Sequence, residues 1–150
     1  MELFRLTKEK HANLEGIGGL LFGGRWHEKG ARVIYAASSR SLAILEYLVH
    51  ISDPLLLPDA LVLMTIFVPD NLKISVIEES SMPANWHENQ TITRRLGTSF
   101  LKDNINLLMR VPSALVPHEY NFIINPLHRD MQFCKIDNIS KFSFDQRLFS

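Results

Sequence analysis

The residues Val33-Ile34-Tyr35-Ala36-Ala37-Ser38-Ser39 are the most informative about the fold, because they join a predicted strand to a predicted helix with no loop between them. The apolar residues from Ala31 to Ala37 are typical of a buried strand. The two serines offer hydroxyl groups that can cap a helix, which the sequence predicts from about Arg40 to Ile51. Strand, turn and helix are therefore contiguous.

A glycine-rich segment precedes this unit. Five of the seven glycines lie between Gly16 and Gly24, and this density excludes regular secondary structure there. We expect a long loop that is either mobile or shaped by a ligand. A short first strand is predicted before the loop, from Leu3 to Leu6.

The rest of the chain adds one helix and several strands. Ala60–Val68 is rich in apolar and β-branched residues and predicts a central strand, which a strand over Lys73–Ile77 follows and meets. Apolar spacing and prolines then predict a helix over Thr91–Asp103 and strands over Leu107–Val111, over Tyr120–Ile124 and around Phe142 and Phe144. This order lacks the regular alternation of a doubly wound sheet, so the sequence indicates an α+β fold.

Length and composition indicate one globular domain, residues 1–150. The chain is 46% hydrophobic and 21% charged, which is typical of a protein that folds around its own core. Its 16 Lys and Arg residues equal its 16 Asp and Glu residues, so the net charge is zero. Without a basic field to attract a polyphosphate chain, direct nucleic-acid binding is disfavoured.

The sequence also predicts a cytoplasmic protein without a membrane anchor or a metal site. Cys134 is the single cysteine, and the start Met1–Arg5 lacks the apolar run of a secretion signal. The longest apolar run, Ala60–Val68, is far shorter than the roughly 20 residues that span a bilayer. The six histidines and the cysteine are scattered, with no pair at close metal-ligand spacing.

Several short motifs, each weak alone, follow one another in an order that resembles the RES-domain family, the toxins of bacterial RES/Xre toxin-antitoxin pairs. They cover nearly the whole chain: Gly23-Gly24-Arg25-Trp26, Val33-Ile34-Tyr35-Ala36-Ala37, Leu42-Ala43-Ile44-Leu45-Glu46, Val111-Pro112-Ser113-Ala114, Glu119-Tyr120-Asn121-Phe122-Ile123-Ile124-Asn125-Pro126 and Phe144-Asp145-Gln146-Arg147-Leu148. One departure is His27, which stands where the family usually has asparagine.

The resemblance implies a single RES domain with an ADP-ribosyltransferase-like fold, a mixed β-sheet flanked by helices. It implies a toxin of a type II toxin-antitoxin system that consumes NAD as its substrate. It further implies an Xre-type helix-turn-helix antitoxin that covers the NAD cleft and makes the DNA contact, and it allows a homodimer within that complex.

The acceptor of ADP-ribose stays open at this point. Transfer to water or inorganic phosphate makes the chain an NAD-degrading enzyme, whereas transfer to a protein side chain makes it a protein ADP-ribosyltransferase. A third hypothesis is a non-catalytic subunit whose Arg25 pocket binds the acidic tail of a partner.

Glu46 is the residue expected to stabilise the transition state. Nicotinamide leaves NAD as a neutral molecule, so no general acid is needed, while the ribose becomes an oxocarbenium-like cation that one carboxylate can stabilise. On a helical wheel Glu46 lies one turn from Leu42 and Val49, at the border of the apolar arc. The alternative is a solvated pair with His50 on the helix surface, and the resemblance favours the catalytic role.

Arg25 and Tyr35 are expected to bind and orient the substrate. Arg25 offers a planar fork of donors for a diphosphate, with glycines beside it that let the backbone come close. Its alternative role is stacking on Trp26. Tyr35 can stack on the nicotinamide or adenine ring and offer its hydroxyl to a ribose, or it can simply belong to the core.

Three further residues complete the predicted site. The resemblance makes Ser113 a residue that hydrogen-bonds substrate, although a hydroxyl in a turn can equally bond the local backbone. Asn121, between Tyr120 and an apolar strand, is expected to organise the pocket from behind. Arg5 is a secondary candidate that would complete the phosphate contacts or brace the loop.

Overall fold

The computed structural model describes residues 1–58 and 60–150. It contains seven strands, namely β1 Glu2–Lys8, β2 Ile34–Ala37, β3 Leu61–Phe67, β4 Ile74–Val76, β5 Leu108–Pro112, β6 Tyr120–Ile124 and β7 Lys135–Phe142. Its α-helices are α1 Gly18–Leu21, α2 Arg40–Leu48 and α3 Gln90–Asp103.

The strands form one mixed sheet in the order β4-β5-β6-β2-β1-β3-β7. Neighbouring strands pair antiparallel, except that β4 and β5 are parallel. A parallel pair needs a long crossover connection, and α3 lies in the connection between these two strands. The expected α+β fold, a mixed sheet flanked by helices, is confirmed.

The sheet is weakly joined in its middle. β1 and β2 pair through a single register position, Phe4 with Ala37, whereas β1 pairs with β3 along its whole length from Glu2 to Lys8. β2 in turn pairs along its length with β6. The two halves of the sheet therefore part between β1 and β2, and this gap is where a ligand can enter.

α2 and α3 cover the same face of the sheet. Leu42 and Ala43 of α2 pack against Ala37, whereas the buried residues Phe100 and Leu101 of α3 pack against Ile123. Residues paired directly across a sheet share a face, and the pairs of β2 with β6 place Ala37 and Ile123 on one side. The two helices therefore flank a common surface that contains the gap.

The predicted unit of strand, turn and helix is present, with shorter elements. The Ser39 hydroxyl caps α2 by accepting a hydrogen bond of 3.1 Å from the Leu42 amide. α2 ends at Leu48 instead of Ile51, and β2 begins at Ile34 instead of Ala31. The contiguity that the sequence indicated is confirmed.

Three details of the sequence prediction were wrong. The glycine-rich segment does contain regular structure, the short helix α1. The last strand lies earlier than predicted, over Lys135–Phe142, because it is an exposed edge strand and has few buried apolar residues to reveal it. β3 and β4 do not meet: β4 lies at one edge of the sheet and β3 is next to the strand at the other edge.

Within the described ranges, none of the helices combines the length and the apolarity needed to cross a bilayer.

Candidate active site

A cleft of about 510 Å³ opens on the helical face where β1 and β2 part. Its walls come from β1, β2, β6, α2, the segment around Arg25, the start of α3 and the turn after β5. Five of the predicted site residues line it: Arg5, Arg25, Tyr35, Glu46 and Asn121. These residues are far apart in sequence, so it is the fold that brings them together.

Glu46 is held by two side chains that both contact the same carboxylate oxygen. Asn121 Nδ2 donates to Oε1 over 2.6 Å, and the Ser113 hydroxyl donates to Oε1 over 3.3 Å. The other oxygen, Oε2, receives no hydrogen bond from the residues the structure describes. Glu46 is half-buried and lines the cleft. Because only Oε1 is held, Oε2 can contact a positive charge in the cleft.

The alternative of a surface ion pair with His50 does not occur, since no contact within 4.0 Å joins the two side chains in the described part of the chain. His50 also lies in the cleft wall, in the turn just beyond the end of α2. The border position of Glu46 on the helical wheel was thus informative, because it let the side chain turn toward the sheet.

Ser113 lies behind Glu46 instead of in the cleft wall. It is buried, and its hydroxyl oxygen accepts hydrogen bonds from the Leu115 and Val116 amides, each over 3.1 Å. These two donors direct the hydroxyl proton toward Glu46. The structure therefore places Ser113 as a support of the carboxylate, which differs from the substrate contact that we expected.

Arg25 is fixed from α3 and from the turn before it. Its Nη1 donates to the His87 carbonyl over 2.9 Å, and its own carbonyl accepts from the Thr93 hydroxyl over 2.6 Å. Among the described residues, the bond to His87 is the one hydrogen bond of the Arg25 guanidinium, and stacking of that group on Trp26 is not observed there. Its remaining N–H donors are therefore available to an anion.

Tyr35 contributes its ring to the cleft, but its hydroxyl is already bonded. The oxygen accepts from the Trp26 amide over 3.2 Å and lies 2.7 Å from His27 Nδ1. Burial raises the pKa of Tyr35 far above its ordinary value, so the phenol stays neutral. The hydroxyl that we expected to contact a ribose thus already has two partners inside the protein, whereas the ring lines the cleft and can stack on a ligand.

Arg5 carries a charge that the protein itself pairs poorly. Its Nη1 makes one long bond of 3.5 Å, to the Tyr35 carbonyl, and no group in the described part of the chain hydrogen-bonds its buried Nε. Burial lowers the pKa of Arg5, yet a guanidinium remains protonated in proteins. Arg5 is half-buried, and among the described residues no carboxylate forms an ion pair with it. A charge held partly out of water without such a partner is costly, so the cleft favours an anion beside it.

Sequence reasoning missed the role of α3 in shaping the site. Arg94 Nε donates to the Gly24 carbonyl over 2.8 Å, next to the Thr93 contact with Arg25. A Cβ added to Gly97 would overlap the Trp26 carbonyl oxygen, so the glycine lets the helix touch this segment. The one available signal was that glycine inside a helical pattern, which indicates a close approach.

The arrangement combines two guanidinium groups and a fixed carboxylate in one cleft. The guanidinium groups can bind a diphosphate, while the free oxygen of Glu46 can face a cation that forms during a reaction. In the part of the chain that the structure describes, no three His, Cys, Asp or Glu side chains are grouped so as to hold a metal ion.

Comparison with protein families gives one match that spans the chain. The RES domain model matches residues 2–145. This chain belongs to the RES-domain family. The resemblance drawn from its motifs is thereby confirmed.

Individual relatives agree with this assignment. The chain is 40% identical to Toxin Res of Pseudomonas putida, over 99% of this chain and the whole of that protein. It is 36% identical to the Prs ADP-ribosylating toxin of a Sphingobium strain, over 91% of this chain and 86% of that protein. The expectation of a toxin of this family is confirmed at that level.

A solved structure shares the fold. A chain of the Mycobacterium tuberculosis MbcT-MbcA toxin-antitoxin complex is 17% identical and superposes with a TM-score of 0.76, covering 95% of this chain and 84% of that one. At this low identity, the likeness shows a common architecture of the sheet and its helices.

Proposed function

We propose that this RES-domain toxin cleaves the bond between nicotinamide and ribose in NAD. One observation carries the proposal: Glu46 has one carboxylate oxygen fixed by Asn121 and Ser113 and the other free, in the cleft that also holds Arg25 and Arg5. A fixed negative charge is what a cationic transition state needs, and paired guanidinium groups suit the diphosphate of the substrate.

The chemistry follows from the charge of the substrate. The nicotinamide nitrogen of NAD is positively charged, so breaking its bond to C1 of the ribose leaves a neutral base that takes the electron pair. The ribose then becomes an oxocarbenium-like cation. Glu46 stabilises this cation electrostatically, and no residue has to protonate the leaving group.

The other residues of the cleft bind and orient. Arg25 and Arg5 contact the phosphates, while the Tyr35 ring stacks on one of the two bases. Asn121 and Ser113 act on Glu46 and hold its carboxylate in place. The mutual positions of these groups are set before substrate arrives, which limits the reorganisation that the reaction requires.

Water or inorganic phosphate is the acceptor that we favour, so the products are nicotinamide and either ADP-ribose or its 1-phosphate. The alternative is transfer to a protein side chain. The Sphingobium relative, which is named an ADP-ribosylating toxin, supports that alternative. Both share the same bond cleavage and the same role of Glu46.

Chromatography of nucleotides tests the proposal directly. Purified protein is incubated with NAD labelled in its adenylate part, with and without phosphate, and the products are separated into soluble nucleotide and protein-bound label. Soluble label supports hydrolysis or phosphorolysis, and protein-bound label supports transfer. Unchanged NAD would contradict both.

Variants separate catalysis from binding. Glu46→Gln should lower kcat about a hundred- to a thousandfold, whereas Glu2→Gln, on the exposed end of β1, should have no effect. In the third hypothesis, the non-catalytic subunit, Glu46→Gln changes no NAD chemistry because there is none to change. The same variant should leave partner binding intact in that case.

We further propose that an antitoxin restrains this toxin in the cytoplasm. The MbcT-MbcA structure is a toxin-antitoxin complex, which supports a partner of this kind. We expect an Xre-type protein that covers the cleft and binds DNA itself. Co-purification with the product of a neighbouring gene, together with loss of NAD cleavage in the complex, would support this, and an active complex would contradict it.

A further inference from the structure

His27 connects the glycine-rich segment to the cleft, and the proposed chemistry assigns it no part. Only 2% of its surface is exposed. Its Nδ1 lies 2.7 Å from the Tyr35 hydroxyl oxygen, and its Nε2 lies 3.3 Å from the Gly19 carbonyl oxygen in α1. Its own carbonyl accepts from the Gly24 amide over 3.0 Å, which closes the turn that carries Arg25.

The neighbours of the ring determine its tautomer. A carbonyl oxygen can only accept, so the proton of a neutral His27 lies on Nε2, which faces Gly19. Nδ1 then has a free lone pair and accepts the hydroxyl proton of Tyr35. The Tyr35 oxygen in turn accepts from the Trp26 amide, so the hydroxyl donates once and accepts once.

The packing leaves this hydroxyl little freedom. A Cβ added to Gly24 would lie 2.6 Å from the Tyr35 hydroxyl oxygen and 3.2 Å from His27 Nδ1. The backbone of the glycine turn therefore closes over the bond between the two side chains. The Tyr35 ring is therefore held at both ends, by its hydroxyl group in the glycine turn and by its backbone in β2.

The charged groups around His27 agree with a neutral ring. Burial is the main cause that lowers the pKa of His27, and Arg94 on α3 lowers it further. Glu28 and the backbone carbonyls of Gly19 and Phe22 act in the opposite direction. A neutral imidazole is the form that can accept at Nδ1.

We propose that His27 is a positioning residue of the NAD site, whose Nδ1 accepts the Tyr35 hydroxyl proton and so fixes the Tyr35 ring in the cleft wall. This inference rests on the proposed function, because the ring is held there in order to stack on NAD. Without the bond, the ring must be ordered when substrate binds, which weakens binding. Glu46 is held separately by Asn121, so the effect falls on KM more than on kcat.

Two substitutions divide the functions of the imidazole. In His27→Asn, the side-chain oxygen can occupy the place of Nδ1 and accept from Tyr35, while the contact with Gly19 is lost. In His27→Gln, the longer amide reaches toward the place of Nε2, so the donor to Gly19 is kept and the acceptor for Tyr35 is lost. The pair therefore tests one hydrogen bond against the other.

The expected result is an asymmetry in KM. His27→Asn should keep KM for NAD within about twofold of wild type, and His27→Gln should raise it about five- to tenfold with kcat nearly unchanged, as expected for one lost hydrogen bond. In a Tyr35→Phe background, His27→Gln should add no further increase, because the bond is already absent.

The role of His27 would be overturned if the two variants had equal KM values for NAD. It would also be overturned if His27→Gln still raised KM in the Tyr35→Phe background. Neither result would contradict the proposed cleavage of NAD. Wild-type protein that does not cleave NAD would instead overturn the proposed function, and the positioning role with it. Nitrogen-15 NMR of the wild-type imidazole supplies a test that needs no variant to fold: we expect the proton on Nε2, and a proton on Nδ1 contradicts the proposal.

Discussion

The two sides of the cleft are stabilised in different ways. Next to α2, the Glu46 carboxylate is held by other side chains, since Asn121 and Ser113 both donate hydrogen bonds to its Oε1. On the glycine-rich side, side chains from α3 hold backbone carbonyls, as Thr93 does for Arg25 and Arg94 does for Gly24. The first arrangement orients one charge, and the second gives a glycine-rich chain a defined shape.

Substitutions on the two sides of the cleft should therefore have different effects. Loss of a donor to Glu46 misplaces the charge and should lower kcat with little effect on folding. Loss of a contact to the glycine-rich side displaces Arg25 and Tyr35 together, so it should affect stability and KM.

The largest effect should come from Gly97→Ala. The new Cβ meets the Trp26 carbonyl oxygen, and neither the helix nor the turn can move without losing other contacts. We expect a loss of about 3 kcal/mol or more of unfolding free energy, measured by urea denaturation. The matched control is Gly18→Ala, where no atom of the described residues lies within 4 Å of the new Cβ. Equal stability of the two variants would mean that α3 does not shape this side.

Asn121→Ala should lower kcat about ten- to a hundredfold, because it removes a hydrogen bond of 2.6 Å to a charged group. KM and thermal stability should change little. Asn138→Ala, on the exposed strand β7, serves as the control and should behave as wild type. An increase in KM with kcat unchanged would show that Asn121 binds substrate instead of orienting Glu46.

Arg25→Lys should raise KM for NAD about tenfold and leave kcat nearly unchanged. The lysine keeps the positive charge but loses the planar pair of donors that grips a diphosphate. Arg129→Lys, at a residue with a highly exposed side chain, is the control. If Arg25→Lys lowers kcat alone, Arg25 acts in the transition state and the division between the two sides fails.

The smallest effect should be a dependence of stability on pH through His27. Its pKa is lowered in the folded protein, so the unfolded chain takes up the proton first as the pH falls. The contribution of neutral His27 to the free energy of unfolding is fully present above a pH of about 6.5, the pKa of an unfolded histidine. It declines as the pH falls from there toward the lower pKa of the folded protein. Urea denaturation between about pH 5 and 8 should show this decline in wild type and a weaker one in His27→Asn. Identical profiles would exclude His27 as its source.

The sequence revealed the parts of the fold that are locally encoded. The apolar run of Tyr120–Ile124 between polar and proline residues predicted β6 with its observed bounds, and Ser39 marked the start of α2. β7 was largely missed because an exposed edge strand has a polar sequence. The place of β4 beyond β5 depends on a crossover through α3, and no local pattern encodes it.

The same distinction applies to the site. Glu46 was identifiable because its place on the helical wheel and its motif agreed, and the cleft now contains it. The contacts of Thr93 and Arg94 were invisible because they bind backbone carbonyls, which every residue has. The position of Ser113 behind the carboxylate could not be read from a turn that satisfies the hydroxyl locally as well.

The role of Glu46 can be measured as the rate at which Glu46→Gln consumes NAD, compared with wild type under saturating substrate. We predict a hundred- to a thousandfold lower kcat, with normal unfolding behaviour and NAD still bound, since the amide keeps the shape of the side chain but not its charge. A variant that is folded, binds NAD and consumes it at the wild-type rate would contradict the central claim that this one carboxylate stabilises the ribose cation.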